Sequence, residues 1–196
     1  MRTALPLMVF AFLMGSIPFG VIVARLKGVD LKKVGSGNIG ATNVLRAMGK
    51  GPAILTLAGD VMKGALSVAA GKYSLSDPVM QGIVGLSSIL GHNFSVFLRF
   101  RGGKGVATTA GVLLVYSPKV AAVTVALWLA VIMVTRYSSL GAVVGFGVLP
   151  ASTYLLDHAP GKMMISFLMS GLIILRHAGN INRLMHGKER KIGKRE

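Results

Sequence analysis

Three short blocks in this chain of 196 residues set glycine, hydroxyl, amide and basic side chains at spacings that hold phosphate. The first is Gly35-Ser36-Gly37-Asn38-Ile39-Gly40-Ala41-Thr42-Asn43, followed by Arg46. Glycines let backbone N–H groups crowd around an anion, and a helix opening near Ile39 turns its positive end to the same point. Gly35 to Gly40 also spells G-x-G-x-x-G. No strand precedes it, however, and the acid about twenty positions on, Asp60, falls in an apolar stretch, so the dinucleotide reading fails. A solvated turn with Ser or Asn as helix cap fits the same residues.

The second block is Arg99-Phe100-Arg101-Gly102-Gly103-Lys104-Gly105, opening an apolar helix. It is no Walker A loop. Leu98 stands where the first glycine belongs, and Gly105 replaces the Ser or Thr after the lysine. Three glycines around one lysine at a helix start still bring backbone donors, a helix dipole and a cation together. A lysine marking the cytoplasmic side, with glycines for turning, is the alternative. The third block is Arg176-His177-Ala178-Gly179-Asn180-Ile181-Asn182-Arg183. His177 and Asn180, and Arg176 and Asn180, share a helix face. A histidine there can move a proton or donate to phosphate, and a cytoplasmic anchor belt has the same composition. Glu189, one of six acids, is expected to pair with a nearby Arg or Lys.

Apolar stretches must position these blocks. Seven are legible, at about 4–24, 52–71, 79–98, 105–117, 119–135, 138–156 and 162–176, several shorter than the roughly 20 residues needed to cross a bilayer core. With 53% hydrophobic and 14% charged residues, the chain needs lipid around its helices. The expected fold is all-α: a polytopic integral membrane protein of about seven transmembrane helices, forming a single domain over residues 1–196. Of 22 Lys and Arg, 17 fall in the loops after the first, third and fifth stretches and in the tail, four fall on the other side, and Lys63 lies within a span. That bias places the N-terminus outside and the C-terminus in the cytoplasm. The helix after Lys104 covers only about 20 Å, so Lys104 is expected at the bottom of a cytoplasmic cleft. Asp60 and Lys63, three apart within a span, read as an ion pair, and as charges inside a membrane they are equally candidates for function. Gly141 and Gly145 read as a close helix contact. The absence of cysteine excludes disulfides, thiolate metal sites and a thiol nucleophile. The basic residues lie in short loops without interleaved aromatics, which argues against nucleic acid.

Taken together, the three blocks resemble the bacterial acyl-phosphate:glycerol-3-phosphate acyltransferase family. Gly91-His92-Asn93-Phe94, Gly15-Ser16-Ile17-Pro18-Phe19-Gly20, Asp60-x-x-Lys63-Gly64, Gly187 and Glu189 fit as well. The resemblance covers nearly the whole chain. It implies a multi-pass enzyme of the bacterial cytoplasmic (inner) membrane, with its active site facing the cytoplasm, in the first acylation of phospholipid synthesis. Such an enzyme moves a fatty acyl group from acyl phosphate to the sn-1 hydroxyl of glycerol 3-phosphate, giving lysophosphatidic acid and phosphate. It implies no metal and no cofactor, membrane lipid as surroundings, and no particular oligomeric state. The His-x-x-x-x-Asp signature of the other large glycerolipid acyltransferase class is missing: the residues five after His92, His158, His177 and His186 are Phe97, Met163, Asn182 and Lys191.

The expected roles follow from the blocks. Ser36, counted with the catalytic residues, and Asn38, Thr42, Asn43 and Arg46 orient one phosphate and the acceptor, while Gly37 and Arg183 bind substrate phosphate. Gly102, Gly103, Lys104 and Gly105 hold the other phosphate and stabilise the leaving group. His177 and Asn180 position the hydroxyl, and either His177 or a substrate phosphate is the base. Which loop takes which phosphate stays open. The rival class is a transporter of a phosphorylated organic anion, against which the chain lacks an internal repeat and keeps its polar blocks at span ends.

Overall fold

In the computed structural model, which describes residues 3–193, every regular element is helical. Arg2, Lys194 and Arg195, which contribute to the charge bias, lie outside the described residues. The first apolar stretch is broken at Ile17-Pro18 into α1 (Ala4–Ser16) and α2 (Phe19–Arg25), as expected where proline removes a backbone donor. The first block leads into a short α3 (Ala41–Met48), and Gly49, with φ of 83°, turns the chain into the long α4 (Lys50–Ser74). Asp77 caps α5 (Pro78–Asn93) by accepting Val79 N–H at 2.9 Å. A single 3-10 turn (Val96–Leu98) and the second block precede α6 (Val106–Tyr116). Then come α7 (Pro118–Thr135), α8 (Ser138–Gly147) and α9 (Leu149–Leu156), with Pro150 in the first turn of α9. Finally α10 (Pro160–Arg176) breaks by 57° at His177 into α11 (Ala178–Met185).

By length and composition, four described segments can cross a membrane: Ala4–Arg25, Lys50–Ser74, Pro118–Thr135 and Ser138–Leu156. The α10–α11 pair qualifies as a fifth if counted as one bent unit. The 16-residue α5 and the 11-residue α6 fall short, and both carry the cleft described below. Small residues let the helices meet backbone to backbone. A side chain at Gly15 or Gly91 would collide with α5 or α1, and one at Gly64 or Gly111 with α6 or α4. The Gly141/Gly145 contact is equally close: added Cβ atoms would lie 2.7 Å from Trp128 O and 2.8 Å from Thr124 O on α7. The apolar core, including Val68, Ile89, Val112, Phe146 and Met169, holds α4 to α10 together.

Candidate active site

Block one is a curl stapled from below. Gly35 and Gly37 take φ of 56° and 68°, which glycine adopts without strain. Asn43, buried on α3, closes the curl: its Oδ1 accepts Ser36 N–H at 2.8 Å, and its Nδ2 donates to the carbonyls of Val34 (3.1 Å) and Leu31 (3.3 Å). Extended backbone at Gly40 opens α3, so the amides of Ala41 and Thr42 have no intrahelical acceptor. Thr42 Oγ1 shares a hydrogen bond with Ser138 Oγ at 3.1 Å, and Arg46 donates to the Arg190 carbonyl at 3.0 Å.

Block two is clamped between α5 and α10. Gly102 N–H donates to Asn93 O at 3.2 Å and Gly103 N–H to His92 O at 3.0 Å. The Arg176 guanidinium donates to the Gly103 carbonyl at 2.8 and 3.1 Å and to that of Gly102 at 3.3 Å. The loop's next residue, Lys104, donates to Asn180 Oδ1 at 2.5 Å. Burial pulls its ammonium down to about 8; Glu189 works upward, while Arg183, Arg46 and Arg176 push further down.

Block three supplies the opposite wall. His177 sits in the break between α10 and α11, its Nδ1 2.7 Å from Ile173 O, so Nδ1 carries the proton and Nε2 is the acceptor. Burial, with Lys104 next, lowers the imidazole to about 4. Asn180 Nδ2 and Ser139 Oγ both donate to Glu189 Oε1, at 2.6 and 2.7 Å, and Arg183 Nε donates to Oε2 at 2.8 Å. Burial works to raise the Glu189 carboxyl, but these three donors outweigh it and hold it below the usual range. The chain that carries Glu189 runs on to Ile192, whose N–H donates to Arg136 O at 2.8 Å.

These walls enclose one cleft of about 570 Å³. Ser36, Asn38, Thr42, Asn43, Arg46, Lys104, Gly105, His177, Asn180 and Arg183 line it, whereas Gly37, Gly102 and Gly103 stand behind the wall. The amides of those three are already committed within the protein: Gly37 N–H donates to Val34 O at 3.1 Å. Side chains, the first-turn amides of α3 and α6, and the amides of Asn38, Lys104 and Gly105, for which no internal acceptor is found among the described residues, remain as donors to an anion. Asp60 and Glu189 are the acids on the wall, each already bound to a protein cation, so the cleft is strongly positive. Leu57, Val106, Ala107 and Trp128 also line a second, apolar groove of about 530 Å³ between α4, α6 and α7.

The sequence profile described as glycerol-3-phosphate acyltransferase matches residues 5–187. The chain belongs to this family. A glycerol-3-phosphate acyltransferase of Thermus thermophilus is 49% identical over 200 residues, covering 100% of this chain and 98% of the relative. A crystal structure described as PlsY, an integral membrane glycerol 3-phosphate acyltransferase in its glycerol 3-phosphate form, superposes with a TM-score of 0.92 at 42% identity, covering 97% of this chain and 96% of that one. A lysophosphatidic acid form of PlsY superposes with a TM-score of 0.90 at 41% identity, with the same coverage. The chain is accordingly an acyltransferase.

Among the wall residues of this acyltransferase, Ser138 and Ser139 escaped the sequence reading: they sit beside no motif and carry no signal of their own. Asp60 and His92 were singled out there, Asp60 with Lys63 and His92 within Gly91-His92-Asn93-Phe94, but not as neighbours. Their approach across α4 and α5, 3.5 Å from Asp60 Oδ1 to His92 Nδ1, is a tertiary fact with no sequence spacing behind it.

Proposed function

We propose that the chain transfers a fatty acyl group from acyl phosphate to the sn-1 hydroxyl of glycerol 3-phosphate, releasing lysophosphatidic acid and phosphate, as the first acylation of phospholipid synthesis. The observation that carries this reading is the junction of the two cavities. A cleft walled by Arg46, Lys104 and Arg183 suits two phosphates, and the adjoining groove of Leu57, Val61, Leu114, Val125 and Leu129 suits a fatty chain. A donor with one end in each leaves its acyl carbon where the cavities meet. The mixed anhydride is already activated, so the protein's task is to neutralise the departing phosphate and aim the hydroxyl.

In this reading Lys104 and the first-turn amides of α6, with Gly105, hold the leaving phosphate. Ser36, Asn38, Thr42 and Arg46 hold the phosphate of the acceptor with Arg183. Asn43 and Gly37 shape the first loop and Gly102 and Gly103 the second. His177 and Asn180 orient the hydroxyl, and Asn180 also holds Lys104. The chain forms one domain across the bacterial cytoplasmic membrane, with seven spans, the N-terminus outside and the cleft opening to the cytoplasm. The 17-to-4 division of Lys and Arg supports that orientation.

The test uses purified protein in detergent, offered acyl phosphate and glycerol 3-phosphate. Phosphate release and lysophosphatidic acid formation that require both substrates are the expected result. Turnover with acyl-CoA and none with acyl phosphate would overturn the choice of donor, and uptake of glycerol 3-phosphate into sealed vesicles without turnover would overturn the enzyme reading.

A further inference from the structure

Beneath the lysine loop lies a charged cluster with almost no solvent contact. Asp60 on α4 and His92 on α5 are 2% and 4% exposed, and Lys63 is 1% exposed. Lys63 Nζ lies 2.8 Å from Asp60 Oδ1 and donates to Ile17 O at 2.8 Å, two of the three partners an ammonium can take. His92 Nδ1 lies 3.5 Å from the same carboxylate oxygen. A carboxylate can only accept from this ring, so Nδ1 carries the proton and Nε2 carries the lone pair.

That lone pair belongs to the cleft. His92 lines it, and Nε2 makes no hydrogen bond among the described residues, yet it is not one of the sealed atoms, as Nδ1 is. The ring tip occupies the space a side chain at Gly103 would need: an added Cβ there would lie 2.1 Å from Nε2. Gly103 thus makes room for the histidine directly beside Lys104. The rest of the cleft is rich in donors to phosphate, and a bare imidazole nitrogen repels phosphate oxygen. What it attracts is a hydroxyl. His177 offers a second bare nitrogen, but a backbone carbonyl stands behind it; behind His92 stands a carboxylate, the partner that stabilises an imidazolium as it forms.

We propose that His92, oriented by Asp60, receives the proton of the attacking glycerol hydroxyl, a role that rests on glycerol 3-phosphate being the acyl acceptor. The hydroxyl oxygen bonds to the acyl carbon as its proton passes to Nε2. The bond from acyl carbon to phosphate oxygen then breaks, and the electron pair leaves with the phosphate. Lys63, 2.8 Å from the same Asp60 oxygen, already shares that carboxylate, so the imidazolium passes its proton on to the departing phosphate. At 3.5 Å His92 Nδ1 and Asp60 Oδ1 make no hydrogen bond in the unloaded site, and the proposed role requires the contact to shorten as the charge develops.

The experiment compares His92→Gln, Asp60→Asn and the double variant with wild type in detergent, measuring kcat, KM for glycerol 3-phosphate, and melting temperature. Glutamine keeps an acceptor near Nε2 but takes no proton. His92→Gln is expected to lose about 100- to 10,000-fold in kcat with KM within about threefold. Asp60→Asn should lose at least about tenfold. The double variant should be no slower than His92→Gln, because the two residues act as one unit. If Asp60→Asn melts early, Asp60→Asn with Lys63→Met removes the orphaned cation and takes its place. If His92→Gln melts early, His92→Asn, which keeps a donor toward Asp60 and loses Nε2, takes its place. A folded His92 variant with kcat within about fivefold of wild type, a change in KM alone, or additive losses would each overturn the proposal. A wild type that does not acylate glycerol 3-phosphate would instead overturn the functional reading beneath it.

Discussion

Replacing Lys104 by alanine removes the cation at the foot of the cleft and the donor to Asn180 Oδ1. If Lys104 binds the leaving phosphate, a charge-assisted contact out of bulk water is lost, about 2–4 kcal/mol of transition-state stabilisation, or roughly 30- to 1,000-fold in rate. The low-lying ammonium allows a sharper test than deletion alone. With its pKa near 8, Lys104 is charged at pH 7 and loses its proton as pH rises through that value. The charged form is the active one, so kcat/KM should fall on the alkaline side from about pH 8. Bound phosphate favours the charged form, so the same limb in kcat should sit higher. Lys104→Arg keeps its charge at every accessible pH and should lose the limb whatever its absolute rate. Lys119→Ala, at the exposed start of α7, removes the same formal charge far from the cleft and should retain nearly all activity. The assay is phosphate release by purified protein between about pH 6 and 10. A flat wild-type profile over about pH 7–9.5, or equal small losses at Lys104 and Lys119, would refute the reasoning.

Three further outcomes are expected. His177→Asn should mainly raise KM for glycerol 3-phosphate and keep kcat within about tenfold, because a ring held near 4 and bound to Ile173 O orients substrate; loss of about 100-fold or more in kcat, with loss of an acid limb near pH 4, would make it the base. Glu189→Gln removes the carboxylate that works to raise Lys104, so the alkaline limb in kcat/KM should move below about 8; an unmoved or upward limb would show that Glu189 does not act on Lys104. Cysteines introduced at Ser36 and Gly187 should react with an impermeant thiol reagent only from the cytoplasmic side, and one at Ser76 only from outside; labelling of Ser36 and Ser76 from one side would overturn the orientation.

What could be read in advance was whatever repeats a local pattern. The helical stretches follow from runs of apolar residues that only lipid can surround, and the Asp60–Lys63 pair follows from its spacing of three on one helix. The breaks at Ile17-Pro18 and Val148 were visible only as a proline in the first case and as Gly145, Gly147 and Pro150 in the second, and α5 ends at Asn93, five residues short of its apolar stretch, because Phe94 turns the chain into the second block. Convergence was the hidden part. Block one and α8 meet through Thr42 and Ser138, 96 positions apart, and Lys104 meets Asn180 across 76. No periodicity encodes such pairs; they follow from which helices pack, and that is decided by glycines whose partners lie on other elements.

The same convergence alters what the glycine-rich blocks are for. Read locally, each glycine promises an amide to a phosphate. In the folded protein the amides of Gly37, Gly102 and Gly103 are committed to internal carbonyls, and their missing side chains matter more than their N–H groups. Gly35 leaves room for Asn43 Oδ1 and Gly103 for the His92 ring. Binding then falls to groups that the glycines let come close: Lys104, Arg46 and the open first turns of α3 and α6. Any larger residue at Gly103 would leave Lys104 in the sequence and push His92 away, so Gly103→Ala should lower kcat through a displaced histidine while the alkaline limb set by Lys104 persists. Loss of that limb along with the rate would show instead that Gly103 serves the lysine alone.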